Sequence, residues 1–310
     1  MRTLESFFPV ERFGAVKAVT AITSSLSAAG VYSVTTEKGE FFLRLHAVGL
    51  SGFAEMVAAQ KLAAAQGLAP NVILVDEAAG AVISAKVEGI PFGLALQQPD
   101  IRPHLLRNLA ETLARLHTIP APDLRPFDLS LGQSLWDEQS QREGFPAWAI
   151  PLGAFIVSAN TALASDERRV LSHNDVNPAN LLWDGSQVWM VDWESAALAH
   201  PYFDLATFET FVNLSDDDAF GLLAIQEGSA INVEQRTTFI SLRNLARVLY
   251  GAVFFSLIPD LSEFDFKPRD ETPTLPECYV RLVKGEFDLK TPVGKALLGT
   301  AILRQVPIGG

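Results

Sequence analysis

Four polar residues within the stretch LSHNDVNPANLLWDGSQVWMVDWE, residues 171–194, have the types and spacing that phosphoryl transfer needs. Asp175 and Asn180 stand in a D-x-x-x-x-N arrangement, the spacing of a phosphoryl-transfer catalytic loop. A carboxylate at Asp175 can accept the proton of an attacking hydroxyl. The amide oxygen of Asn180 and the carboxylate of Asp192 are hard oxygen donors, suited to a Mg2+ that bridges nucleotide phosphates. Taken singly, Asp175, Asn177 and Asn180 read as residues that cap turns. The set with its spacing, a hairpin and a second acid is what points to chemistry. No second histidine follows His173 at a metal-ligand spacing, so His173 reads as structural support for the loop.

The elements that must position these groups can be read around them. Asp184-Gly185 is a hairpin signal between two short strands, 180–183 and 187–192, and it brings Asn180 close to Asp192. Alternation puts Val188, Met190 and Asp192 on one strand face. Upstream, 15–20, 31–36 and 41–46 are β-favouring, and 53–66 is rich in Ala, Met, Leu and Gln and stops at Gly67. Segments 72–76 and 81–86 form another strand pair. The order is β-β-β-α-β-β, an antiparallel sheet with one helix. After Glu88-Gly89-Ile90-Pro91 the pattern becomes helical. Leu105, Leu106, Leu109, Leu113 and Leu116 form one stripe in 102–118, and helices are expected over 146–165, 216–227, 233–257, 276–284 and 293–304. The Asp-, Glu- and Pro-rich piece 259–275 reads as a long loop.

Composition bounds the function further. With 24 basic against 36 acidic residues the formal net charge is −12, which argues against nucleic acid as a partner and favours a cationic small molecule. The single cysteine, Cys278, excludes an intrachain disulfide and fits a reduced, cytoplasmic setting. The N-terminus lacks the continuous apolar stretch of a signal peptide. The longest apolar run, 248–258, is shorter than the ~20 residues a membrane span takes, so no membrane association is expected.

The motif stretch resembles the choline/ethanolamine kinase and aminoglycoside phosphotransferase superfamily, whose members have the bilobal protein-kinase-like fold. His173-Asn174-Asp175 is closer to the choline/ethanolamine branch than the His-Gly-Asp usual in aminoglycoside enzymes. Asp192-Trp193-Glu194 is similar to the family's counterpart of the kinase DFG segment. The block 201–206, PYFDLA, resembles the one whose aspartate, here Asp204, is buried and braces the catalytic loop. Leu113-Ala114-Arg115-Leu116-His117 with Pro120 looks like a helix end typical of these proteins. The resemblance implies an α+β fold, with residues 1–88 as a small β-sheet lobe that binds nucleotide. Residues 89–310 would be a larger helical lobe with the catalytic loop, metal and acceptor sites.

The resemblance also implies roles. Asp175 matches the catalytic base, Asn180 and Asp192 match the Mg2+ ligands, and ATP is the expected phosphoryl donor. Glu194 is a second candidate near the metal or a substrate cation. Arg44 on its strand is expected to pair with Glu55 in the next helix and hold ATP phosphates. Ser24, Ser25 and Ser27 occupy the place of the phosphate-covering loop, with serines where the family usually has glycine. The adenine is expected on the backbone of the linker at Ala85 and Val87. The acceptor is expected to be a small hydroxylated, amine-bearing molecule, choline- or ethanolamine-like, with aminoglycosides and other metabolites as further options. Trp193, Tyr202, Phe208, Phe211, Tyr250, Phe254 and Phe255 are candidates for cation–π walls, although their spacing also suits a core. The alternative is a kinase-fold binding protein with little turnover, suggested by the altered loop at 24–30 and opposed by the intact Asp175, Asn180 and Asp192. A two-carboxylate hydrolase would leave Arg44 and Glu55 without a role.

Overall fold

The strand pattern of the N-terminal region closes into one antiparallel sheet with the order β1-β2-β3-β5-β4. A computed structural model describes residues 3–22, 30–121, 123–164 and 166–307. The strands are β1 (Val16–Ile22), β2 (Gly30–Thr36), β3 (Gly39–Leu45), β4 (Val72–Asp76) and β5 (Ala81–Ala85), within a residue or two of the sequence expectation. Ser24, Ser25 and Ser27 lie outside the described residues. Alternation along β2 and β3 sends Val34 and Leu43 inward, where they meet Ile83 of β5. Phe7, Phe8 and Phe13 close the same core from a 3-10 turn (Leu4–Phe7) and the short helix α1 (Val10–Phe13). These two pieces are too short to carry a periodicity, and the sequence reading has no element there.

Helix α2 (Phe53–Ala65) buries Phe53, Met56, Val57, Ala59 and Ala63 along one side. It closes as the sequence suggests. The Leu68 N–H returns to the Ala63 carbonyl (3.0 Å), the Gly67 N–H returns to that of Ala64 (2.9 Å), and Gly67 takes φ 69°. The Leu68 carbonyl in turn accepts the Met190 N–H at 2.9 Å, so the helix end anchors the hairpin of the motif stretch directly.

The chain divides into two compact units, Met1–Arg125 with Val170–Leu198, and Pro126–Arg169 with Ala199–Gly310. The first unit thus holds the sheet and also the whole motif stretch. Its remaining elements are β6 (Ile90–Pro91), α3 (Phe92–Ala95), α4 (Arg102–Leu116), β7 (Val170–Ser172), β8 (Leu181–Trp183), β9 (Val188–Met190) and β10 (Ala197–Ala199), where the chain leaves the unit. Strands β6, β8 and β9 form a three-stranded sheet, and β7 pairs with β10. Asn108 of α4 grips the hairpin, accepting the Val188 N–H (2.9 Å) and donating to the Ser186 carbonyl (3.3 Å).

The second unit is helical: α5 (Leu129–Ser140), α6 (Ala154–Ala164), α7 (Phe203–Val212), α8 (Asp216–Glu227), α9 (Val233–Ser256), α10 (Leu275–Val283) and α11 (Pro292–Arg304). Helix α9 starts at a capping box formed by Asn232 and Gln235, and α5, α6, α7 and α11 pack around it. Gly251 lets α11 approach closely, since a Cβ there would come within 2.3 Å of Leu303. Glu209 of α7 is fully buried and takes a bidentate pair of hydrogen bonds from Arg247 of α9 at 2.8 and 2.9 Å. Burial raises the Glu209 carboxyl and lowers the Arg247 guanidinium, so desolvation opposes the pairing on both sides. The acidic run Asp216-Asp217-Asp218 forms the first turn of α8, capped by Ser215, which is where negative charge suits a helix. No helix among the described residues is long and apolar enough to cross a membrane.

Candidate active site

Each catalytic candidate sits where local chain geometry fixes it. The hairpin turn is built by Asp184, whose carboxylate accepts the Ser186 and Gln187 N–H groups at 2.8 Å each and the Trp189 indole at 2.7 Å, while Gly185 takes φ 98°. Burial works against this charge, but the hydrogen bonds prevail and lower the carboxyl to about 2. The ladder then places the two expected metal ligands together. The Val191 N–H donates to the Asn180 carbonyl at 2.9 Å, which puts Asn180 next to the strand end from which Asp192 departs. Asp192 has φ 69° and Asn174 φ 62°, two of the three non-glycine residues with positive φ among those described. Asn and Asp tolerate this left-handed region best, and such backbone is found where a functional loop needs a sharp change of direction.

Asp175 is half-buried and held on both oxygens. Asn177 donates to Oδ1 at 2.8 Å, and Asn180 donates to Oδ2 at 2.6 Å and to the Asp175 carbonyl at 3.0 Å. The pair of donors fixes the plane of the carboxylate, which positions it to meet a hydroxyl. Asn180 spends its amide nitrogen on Asp175, so its oxygen is the atom turned to serve as a hard ligand. Asn177 also caps the turn Pro178–Asn180 by accepting the Ala179 N–H (2.9 Å), so its cap role and its site role coexist.

His173 is fully buried. Its Nε2 lies 2.9 Å from the Val191 carbonyl, a pure acceptor, so Nε2 carries the proton and Nδ1 accepts the Asp175 N–H at 3.3 Å. Its ring packs on Trp193 with centroids 4.7 Å apart. This histidine therefore ties Asp175 to the strand that delivers Asp192.

Arg44 also reaches this corner, but with a different partner from the one expected. Its guanidinium pairs with the Asp192 carboxylate, and both side chains are largely buried. No ion pair between Arg44 and Glu55 occurs among the described residues. Glu55 is half-buried in the first turn of α2, where the helix N-terminus favours a carboxylate. Glu194 accepts a contact that sequence reading missed, from His46 Nδ1 at 2.8 Å. In the linker, the Ala85 N–H is committed to the Asn71 carbonyl (2.9 Å) and that of Lys86 to Glu40 (3.2 Å), which moves the adenine expectation toward Val87. Asp204 is fully buried in the first turn of α7.

The donor set fits a divalent cation of the hard kind. Among the described residues no three His, Cys, Asp or Glu side chains gather as a metal cluster. A cation at Asn180 and Asp192 would take its other ligands from phosphate and water, the usual pattern for Mg2+. The arrangement offers a fixed carboxylate, two oxygen ligands and a strand arginine within one unit. Asn177 and His46 were the residues missed. Asn177 was visible as an Asx two positions after Asp175, and His46 as the residue two places after Arg44, on the same strand face.

Residues 18–230 match the family model for the APH phosphotransferase enzyme family. A curated relative, the N-acetylmuramate/N-acetylglucosamine kinase of Caulobacter vibrioides, is 26% identical over 164 residues, covering 46% of this chain and 45% of that protein. The match thus spans less than half the relative's length. Among solved structures, a choline/ethanolamine kinase family protein from Mesorhizobium loti superposes with a TM-score of 0.65 at 18% identity, covering 93% of each chain. A spectinomycin phosphotransferase in complex with ADP and spectinomycin gives 0.57 at 14% identity, covering 94% of each chain. The α+β architecture is therefore the protein-kinase-like one expected. The chain belongs to the APH phosphotransferase enzyme family.

Proposed function

We propose that this protein transfers the γ-phosphoryl group of ATP, in a Mg2+-dependent reaction, to a hydroxyl of a small acceptor. The observation that carries this reading is the Asp175 carboxylate held on both oxygens by Asn177 and Asn180, on the same hairpin that presents Asp192 to Arg44. Asp175 would orient the acceptor hydroxyl and take its proton as the oxygen attacks phosphorus. Asn180 and Asp192 would hold Mg2+, which supplies charge neutralisation on the phosphates. Arg44 is suited to exchange part of its pairing with Asp192 for a phosphate oxygen, since a guanidinium serves either anion. Most of the rate then comes from positioning and electrostatics. On this reading residues 1–88 carry most nucleotide contacts, Ser24, Ser25 and Ser27 included. Residues 89–310 carry catalysis and the acceptor. The setting that suits a buried, unpaired Cys278 is a reducing cytoplasm.

For the acceptor, an amine-bearing hydroxylated molecule of the amino-sugar kind ranks ahead of choline. Of the seven aromatic residues considered for a cation–π wall, all but Tyr250 are buried. Trp193 packs on His173, Phe255 on Phe145, and Tyr202 already lies under the protein's own Arg168 at 4.9 Å. Those faces are committed to the core or to an internal cation. The partial match to a sugar kinase points the same way. The test is a 31P NMR and ADP-release assay over glucosamine, N-acetylglucosamine, N-acetylmuramate, choline, ethanolamine and several aminoglycosides. We expect Mg2+-dependent phosphorylation of an amino sugar with kcat/KM at least about tenfold above that for choline, ~1.4 kcal/mol of discrimination. ADP release without any phosphorylated acceptor would contradict the proposed reaction, and choline as the best substrate would reverse the ranking.

A further inference from the structure

Just past the end of β3, His46 is nearly buried, yet its Nδ1 lies 2.8 Å from the Glu194 carboxylate. Its backbone continues the ladder beyond the strand, the N–H donating to the Gly80 carbonyl at 2.8 Å. Gly80 takes φ 63°, and a Cβ there would come within 2.6 Å of the His46 carbonyl, so only glycine lets the two chains stay this close. The ring is set edge-on against Phe53 of α2, centroids 5.7 Å apart. Backbone and ring are therefore both fixed, and the imidazole points one way. A carboxylate only accepts, so Nδ1 carries the proton. Nε2 is then buried without a hydrogen-bond partner, a cost that Leu or Met would avoid if the position served packing alone.

Strand alternation turns this contact into a pattern. Arg44 and His46 are two residues apart on one face of the β3 line, and Asp192 and Glu194 are two residues apart on the segment opposite. Arg44 pairs with Asp192 and His46 with Glu194. We infer that His46 is a positioning residue for the metal-binding segment: it is the fixed rung of a two-rung latch whose other rung is Arg44–Asp192. The inference rests on the proposed role of Asp192 as a Mg2+ ligand. Asp192 has a left-handed backbone with no glycine to relax it, and an anchor two residues downstream holds that backbone in place. Arg44 can turn toward phosphate while the His46–Glu194 rung keeps β3 and the segment in register.

The test uses the full chain with His46→Leu and His46→Asn, in which the asparagine Nδ2–H can replace the imidazole Nδ1–H. The readout is the Mg2+ concentration that gives a half-maximal ATP-induced thermal shift. Loss of a partner that orients a ligand segment raises this concentration roughly 10- to 100-fold in His46→Leu, while His46→Asn stays within about threefold of the parent. A folded His46→Leu protein with the parental Mg2+ requirement, or an Asn variant as impaired as the Leu variant, would overturn the inference. A second measurement needs no substitution at His46. Long-range 1H–15N spectra of the parent at alkaline pH should show His46 as the Nδ1–H tautomer, with Glu194→Ala losing it. An Nε2–H tautomer in the parent removes the latch. A parent without any Mg2+-dependent ATP shift would count against the kinase reading itself, and the tautomer would still decide the pairing.

Discussion

At the scale of single residues, the site works by dividing each polar group between two tasks. Asn180 gives its nitrogen to Asp175 and offers its oxygen to a cation, and Asn177 holds Asp175 while capping the turn beneath it. Asn180 keeps its own bonds to Asp175 when the Asn177 side chain is removed, so the change should loosen the base more than the proposed ligands. We expect Asn177→Ala to lower kcat about tenfold, the ~1.4 kcal/mol of one hydrogen bond to a charged group, with KM for ATP unchanged. Steady-state kinetics checks this, and an effect confined to KM for ATP would count against it. The types and spacing of Asp175, Asn180 and Asp192 were legible in the sequence because they lie within one hairpin. The pairing of Arg44 was not. Asp192 lies 148 residues from Arg44, whereas Glu55 is near in sequence, and no local pattern ranks a distant carboxylate over a near one.

At the scale of elements, legibility followed length and periodicity. The five strands of the main sheet run five to seven residues each and are rich in β-branched and aromatic residues, and α8, α9 and α11 carry clear caps, so all of these could be read. Helix α5 buries only Trp136 and Gln139 in the middle of polar residues, and β7 and β10 are three residues long, so none of them offered a period to detect. One junction between elements makes a prediction about pH. His200, buried at the entry to α7, has its Nε2 3.0 Å from Asp166, which also binds Arg168 through its guanidinium. Burial lowers the His200 pKa, Asp166 raises it, and Arg168 and Arg169 lower it further. Its contribution to stability is then fully present above the ordinary histidine pKa near 6.5 and is lost as pH falls through the lowered value. The Asp166 carboxyl is itself held far down by Arg168, so its contribution persists to more acidic pH. The melting temperature should fall between about pH 7 and pH 5, and His200→Gln should flatten that fall. Equal slopes for the parent and the variant would show that His200 is not the group responsible.

At the scale of the whole molecule, the division of the chain follows the chemistry. The sheet, the proposed catalytic loop and the segment proposed to bind Mg2+ belong to one compact unit, tied by Leu68 to Met190, Arg44 to Asp192 and His46 to Glu194. The helical unit builds its own core around α9, with the buried Glu209–Arg247 pair inside it. A buried pair of this kind adds little net stability against an apolar replacement, and its use is to fix which faces of α7 and α9 meet. On the proposed function, Asp175 accepts the proton of an acceptor hydroxyl in phosphoryl transfer from ATP. This role is tested most directly by single-turnover transfer from ATP to the best acceptor, measured for the parent and for Asp175→Asn alongside Mg2+-dependent ATP binding. Asp175→Asn should keep its ATP affinity within about threefold and lose transfer by roughly 10²- to 10⁴-fold. Transfer at the parental rate in Asp175→Asn would contradict that role.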